Sequence, residues 1–138
     1  MKLHTTNYVN TFIEVADDCP VMQGEVPPQK EAAKSVAVLQ FEALRKNPYA
    51  FTSDDLLFDI YAQKNDLADS ERQEARQQFF SKGQACFRSS PLAKRYGWGV
   101  HSNTEGKIAI YGIGSPEYKQ LTEDGTVKHL KAMRSKRA

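Results

Sequence analysis

Hydrophobic and polar positions along this chain follow two different periods, and the switches between them mark the predicted elements. In Tyr8-Val9-Asn10-Thr11-Phe12-Ile13-Glu14-Val15, residues Val9, Thr11, Ile13 and Val15 share one parity, which predicts a strand with one buried face. Asp17-Asp18-Cys19-Pro20 ends it. A loop over 20–28 closes on Pro27-Pro28, where proline suits the first turn of a helix. From Gln29 to Lys46 the period becomes helical, with Ala33, Val36, Ala37, Phe41 and Leu44 on one stripe. Asn47-Pro48 stops it, because the residue before a proline is pushed out of the α region.

Thr52-Ser53-Asp54-Asp55 offers an N-cap with acids in the first turn, where the helix dipole favours them. Leu56, Leu57, Ile60 and Tyr61 then form the inward side of a short helix, with a strand through Phe58, Ile60 and Ala62 as the alternative. Asp69-Ser70 caps a third helix, Glu71 to Lys82, whose apolar side is Ala75, Phe79 and Phe80, with Gly83 placed as its left-handed terminator. Asn103-Thr104-Glu105-Gly106 matches a type I turn with a glycine bulge. That turn sets Ser102 against Ile108, Val100 against Ile110 and Gly99 against Tyr111. Trp98, Val100, Ile108 and Ile110 then share one face, and His101 and Tyr111 the other. Ser115-Pro116 opens another helix that Gly125 breaks. Thr126 caps a last helical turn or two through Val127 and Leu130, fading into a basic tail over 131–138. The pattern predicts one α+β domain over 1–138. Its small antiparallel sheet, the N-terminal strand plus the 98–112 hairpin, is covered by helices on one side.

Composition narrows the class without choosing a chemistry. The chain has 138 residues, 40% hydrophobic and 26% charged, which is enough for a self-sufficient core. No apolar run approaches the roughly 20 residues that span a bilayer, and the first residues lack the apolar stretch of a secretory signal. Two cysteines make no disulfide framework, so the expectation is a cytoplasmic protein with reduced thiols and no membrane contact. The net charge of +2 hides a split: residues 1–81 carry 8 Lys/Arg against 13 Asp/Glu, giving −5, and residues 82–138 carry 11 against 4, giving +7. Such a split fits halves that neutralise each other on folding, a homo-oligomer joined acidic half to basic half, or a basic face for an anionic partner.

Several runs resemble an uncharacterised bacterial-type family, domain of unknown function 6157. They are His4-Thr5-Thr6-Asn7-Tyr8, Asn10-Thr11-Phe12-Ile13-Glu14-Val15-Ala16 and Gly24-Glu25-Val26-Pro27-Pro28. Tyr49 with Thr52-Ser53-Asp54-Asp55, Phe79-Phe80-Ser81-Lys82-Gly83-Gln84, Lys94-Arg95-Tyr96-Gly97-Trp98-Gly99 and Lys131-Ala132-Met133-Arg134-Ser135-Lys136 complete the set. The resemblance covers nearly the whole chain and implies a small standalone protein, but it carries no activity and no catalytic residue. The hairpin and its approach also look like small α+β proteins with the YdhG-like fold, which implies an antiparallel sheet with helices on one side.

The candidate chemistry concentrates between Phe79 and Tyr111. Lys82, Arg88, Lys94 and Arg95, with the hydroxyls of Ser81, Ser89 and Ser90 and the flexible Gly83, supply groups that hold a phosphate or carboxylate. The ordinary reading of the same run is a solvated connection, and no phosphate-loop or dinucleotide pattern is present. Cys86 and His101 fit a thiol–imidazole pair, with Arg88 favouring the thiolate, although a lone cysteine between Ala85 and Phe87 is more often a small buried hydrophobe. The scattered His4, His101 and His129 match no metal-ligand spacing, and no cofactor is expected. The run from Lys128 to Arg137 holds five Lys/Arg and no acid, but without a recognition module or a stacking platform nucleic acid is disfavoured against a solvated or self-docking tail. The expected function is therefore a non-enzymatic binding module for an anionic small molecule or acidic partner surface, using Lys82, Arg88, Lys94, Arg95, His101 and Tyr111. The competing classes are an enzyme with a site near Cys86 and His101, and a homo-oligomeric structural protein.

Overall fold

The computed structural model describes residues 3–29 and 32–135. Its sheet starts at β1, Thr11–Glu14, three residues later than the alternation predicts. The reason is Asn10, which sits in the left-handed region at φ 50° and breaks the extended run. Val9, beyond the break, is 58% exposed instead of buried. Within β1, Phe12 and Ile13 are both buried, so the strand is covered on two faces.

The hairpin forms β2, Trp98–Ser102, and β3, Ile108–Gly112, in the predicted register of Ser102 with Ile108, Val100 with Ile110 and Gly99 with Tyr111. The Asn103 carboxamide accepts from the amides of Glu105 and Lys107, and Gly106 takes the positive φ that the bulge requires. β1 pairs antiparallel with β2, as the fold class anticipates. A fourth strand joins the other side of β1: β4, Lys128–Lys131, runs parallel to it, giving the order β3-β2-β1-β4. Here a last helical turn was expected. Instead the Lys128 amide donates to the Asn10 carbonyl and the Ala132 amide to the Glu14 carbonyl, so the backbone of β1 extends this segment. Val127 then faces Phe12, while Leu130 and Ala132 face the other side, with Ile13.

Helices cover the Ile13 face of the sheet. α1, Val36–Lys46, begins at Ser35, whose hydroxyl accepts from the Val38 amide, and not at Gln29. It ends at Asn47, as Asn47-Pro48 predicts. α2, Ser53–Lys64, is capped by Thr52, and α3, Asp69–Phe80, by the Glu71 carboxylate accepting from the Ala68 amide. α2 buries Leu56 and Ile60 against the sheet and Phe58 and Ala62 against Phe80 of α3. That double burial explains why its pattern also resembles a strand. α3 stops at Phe80 through Ser81, and Gly83 is not among the glycines with positive φ, so it does not terminate the helix. After a 3₁₀ turn, Phe87–Ser89, the short α4, Pro91–Lys94, inserts Leu92 and Ala93 into the same core. α5, Pro116–Glu123, capped by Ser115 as predicted, carries the chain from β3 to β4 over the opposite face. There Tyr118 meets Phe12 edge-on at 5.0 Å, and its hydroxyl accepts from the Val15 amide. Burial pushes that hydroxyl up to about 12.

The basic end of the chain docks through residue 135. Lys131 pairs with Asp17 at 2.6 Å, Arg134 approaches the same carboxylate, the Ser135 amide donates to Asp18, and the Met133 amide donates to the Arg88 carbonyl. Acids of the first half thus meet cations of the second. The rest of the predicted tail, 136–138, lies outside the described residues.

Candidate functional site

The site begins with how α1 ends. Asn47-Pro48 stops the helix and Tyr49 turns the chain at φ 59°, a left-handed backbone that few side chains other than glycine adopt. The Tyr49 amide donates to the Ile108 carbonyl and the Ile108 amide to the Phe51 carbonyl, fixing this segment along the edge of β3. Tyr49 therefore reaches around the sheet edge to the face that carries His101 and Tyr111. Those two stand opposite Ala109 and Gly99 in the hairpin register.

The Tyr49 hydroxyl lies 2.8 Å from both the Tyr111 hydroxyl and His101 Nδ1. Its ring meets the imidazole edge-on at 5.6 Å. Burial, then the hydrogen bond with Tyr111, pushes the Tyr49 hydroxyl well above its ordinary value. Burial also holds His101 below its ordinary value, an effect that the Asp124 charge partly offsets. Tyr49 and His101 are thus uncharged near neutrality, and in the chain of three groups one proton per link can run in either direction. If Tyr49 donates to Nδ1, the imidazole proton sits on Nε2; if it accepts, Nε2 is bare. Nε2 makes no hydrogen bond among the described residues, so the free end of the chain adapts to what it meets.

This chain lines a hollow of about 240 Å³ under α5, with Glu117 and Asp124 at its rim. A larger hollow of about 450 Å³ shares Tyr111 and Glu117 with it and continues past Trp98, Gly112 and Ser115 to Arg45. The Arg45 guanidinium lies 5.1 Å from the centre of the Trp98 ring and makes no ion pair among the described residues. Glycine is required in this wall: a Cβ on Gly24 would come within 2.9 Å of the Trp98 ring. The Asp124 carboxyl is held below the usual carboxylate range by hydrogen bonds from Thr126 and stays charged.

Of the residues singled out in the sequence, the fold brings only His101 and Tyr111 together. Lys82 lines a separate hollow beside Phe79 and Tyr61. Arg88 donates through Nε to the Lys131 carbonyl and stands near the Tyr8 hydroxyl. Lys94 ends α4 and Arg95 is its exposed C-cap, and neither lines the hollows around Tyr111. Cys86 has the Tyr8 hydroxyl at 3.4 Å, while His101 Nδ1 is taken by Tyr49, so the thiol and the imidazole are not paired. No cluster of three or more potential metal ligands occurs among the described residues, and no helix there is long and apolar enough to cross a membrane. Tyr49 and Arg45 escape sequence reasoning because both read as the ordinary end of a helix; only the Asn-Pro stop hints that Tyr49 starts a special turn.

No curated protein and no solved structure matches the chain, so the likeness to YdhG-like proteins receives no support. A family profile described as a family of unknown function matches residues 3–138. With a match over nearly its whole length, the chain belongs to the family of unknown function DUF6157.

Proposed function

We propose that this chain is a binding module for a small polar molecule carrying one anionic group and at least one hydroxyl or amino group. The observation that carries the reading is the Tyr49 hydroxyl, held 2.8 Å from both Tyr111 and His101 at the wall of an open hollow. A neutral, pre-ordered array of this kind recognises a ligand's hydroxyl or amine with little ordering cost, and His101 Nε2 serves as donor or acceptor. The carboxylates of Glu117 and Asp124 disfavour a purely anionic ligand in the smaller hollow, while the unpaired Arg45 supplies the counter-charge in the larger one. The anionic partner expected from the basic half is thereby assigned to Arg45, with Tyr111 and His101 retained from the sequence-derived set.

A thermal-shift panel of hydroxy acids, amino acids and sugar phosphates tests this. A true ligand at one hundred times its Kd adds about 2.7 kcal/mol to stability. The expected result is a hit whose stabilisation falls in both Arg45→Ala and His101→Gln. A panel without hits, or hits that ignore both substitutions, overturns the reading.

A second reading, general acid–base catalysis at His101, draws on Tyr49, because left-handed backbone in residues other than glycine clusters at active sites. It requires turnover of a bound ligand that His101→Gln abolishes while binding survives.

A further inference from the structure

A second pair of hollows lies along the seam of α2 and α3 and shares no residue with the site around Tyr111. The two, of about 470 and 580 Å³, have Tyr61, Phe79 and Gln84 in common and so form one trough. Its floor is apolar, with Leu57 and Ile60 beside the Tyr61 and Phe79 rings, whose centres are 4.7 Å apart. Tyr61 is 40% exposed and Val36, at one end, 41% exposed. The packing of the seam explains why they are left open. Phe58, Ala62 and Phe80 already knit the two helices together with Phe79 packed against them, so Tyr61 and the half-buried Phe79 keep an open side.

The charge around the trough is one-sided. Lys64 and Lys82 line it and no Asp or Glu does. The carboxylates of α2 are engaged elsewhere, Asp59 with Arg72, Asp55 with Arg76 and Asp54 with Thr5 and Thr6. Lys64 gives its ammonium to the Lys34 carbonyl, whereas Lys82 makes no ion pair among the described residues. An apolar bed with an unpaired ammonium at its end fits a molecule with an apolar body and a single acidic head. A neutral apolar molecule would leave Lys82 unused, and a small inorganic anion would leave the aromatic bed unused.

We propose that the α2–α3 trough binds small amphipathic anions, aryl or alkyl carboxylates and their like, with the head at Lys82 and the body over Tyr61 and Phe79. The test uses the full chain, labelled with ¹⁵N, titrated with three probes of one shape: 4-phenylbutyrate, 4-phenylbutyramide and 4-phenylbutylamine. The carboxylate is expected to shift the amides of Leu57, Tyr61, Phe79, Gln84 and Ala85, and to bind at least about fivefold tighter than the amide or the amine. Lys82→Gln, an exposed change, should erase that preference while leaving the affinity for the amide as it was. Tyr61→Ser should weaken all three probes together. Equal affinities for carboxylate and amide in the unsubstituted chain overturn the proposal. So do shifts confined to Tyr111, Gly112 and Ser115, a result that would speak for the other site instead.

Discussion

The backbone amide and the hydroxyl of Thr6 both donate to Oδ1 of Asp54, each at 2.7 Å. Thr5 takes the second oxygen with its own hydroxyl, and Asn7 returns the favour by accepting from the Asp54 amide. Asp54, at the start of α2, therefore fastens residues 5–7, which explains physically why the runs at 4–8 and 52–55 fit one another. Asp54→Ala should destabilise the fold by about 2–3 kcal/mol, since hydrogen bonds to a charged acceptor are lost together with the partners left unpaired. Urea unfolding checks this, and a loss under about 0.5 kcal/mol would show that the segment is held by other contacts.

Two glycines of equal standing in the sequence should respond in opposite ways. A Cβ on Gly99 would lie 2.6 Å from Phe12 and 2.7 Å from Tyr118, under α5, whereas a Cβ on Gly83 meets nothing within 4 Å. Gly99→Ala should cost about 1–3 kcal/mol by overpacking and loosen α5, and Gly83→Ala should be neutral or slightly stabilising. Chemical denaturation of the two variants side by side decides the matter.

Stability should depend on pH through His101. Folding holds this imidazole below its ordinary pKa near 6.5, so the unfolded chain binds the proton more readily. The contribution is fully present above about pH 6.5 and is lost as the pH falls through the lower, folded value. The Asp17 and Asp124 carboxyls are also held low, but their contributions disappear only at more acid pH, below about 4. Unfolding midpoints between pH 5 and 8 should decline on the acid side in the natural sequence, and His101→Gln should flatten that decline. An unchanged slope in the variant would contradict the burial argument.

The docked end of the chain rests on Asp17, which faces both Lys131 and Arg134. These groups are exposed, so Asp17→Asn should leave global stability nearly unchanged. Local opening should increase, and trypsin should cut after Lys131 and Arg134 faster, in the variant as in high salt. Equal cleavage rates would mean that the backbone bonds of Ala132 and Met133 suffice.

What the sequence made legible follows the range of the forces involved. The hairpin register was readable because a local turn and a local alternation both specify it. The same holds for the caps at Thr52 and Ser115, where donor and acceptor lie three residues apart. β4 was not readable: Lys128-His129-Leu130-Lys131 has no strand-like alternation, and its backbone is extended by β1, more than a hundred residues away. The sequence cluster of cations from Lys82 to Arg95 dispersed because a 3₁₀ turn and a short helix lie within it and send successive side chains in different directions. Tyr49 joined His101 and Tyr111 through a left-handed turn and an edge contact, neither of which has a periodic signature.

The most direct measurement is the ¹⁵N NMR spectrum of the His101 imidazole in the intact chain, titrated with glycerol 3-phosphate and with glycerate. If the hollows around Tyr111 bind a ligand's anionic group and hydroxyl together, the Nδ1 and Nε2 signals should shift saturably with at least one of them. Tyr49→Phe should alter that response and Arg45→Ala should abolish it. An imidazole that ignores both compounds, or a response that persists undiminished without Arg45, would contradict the account.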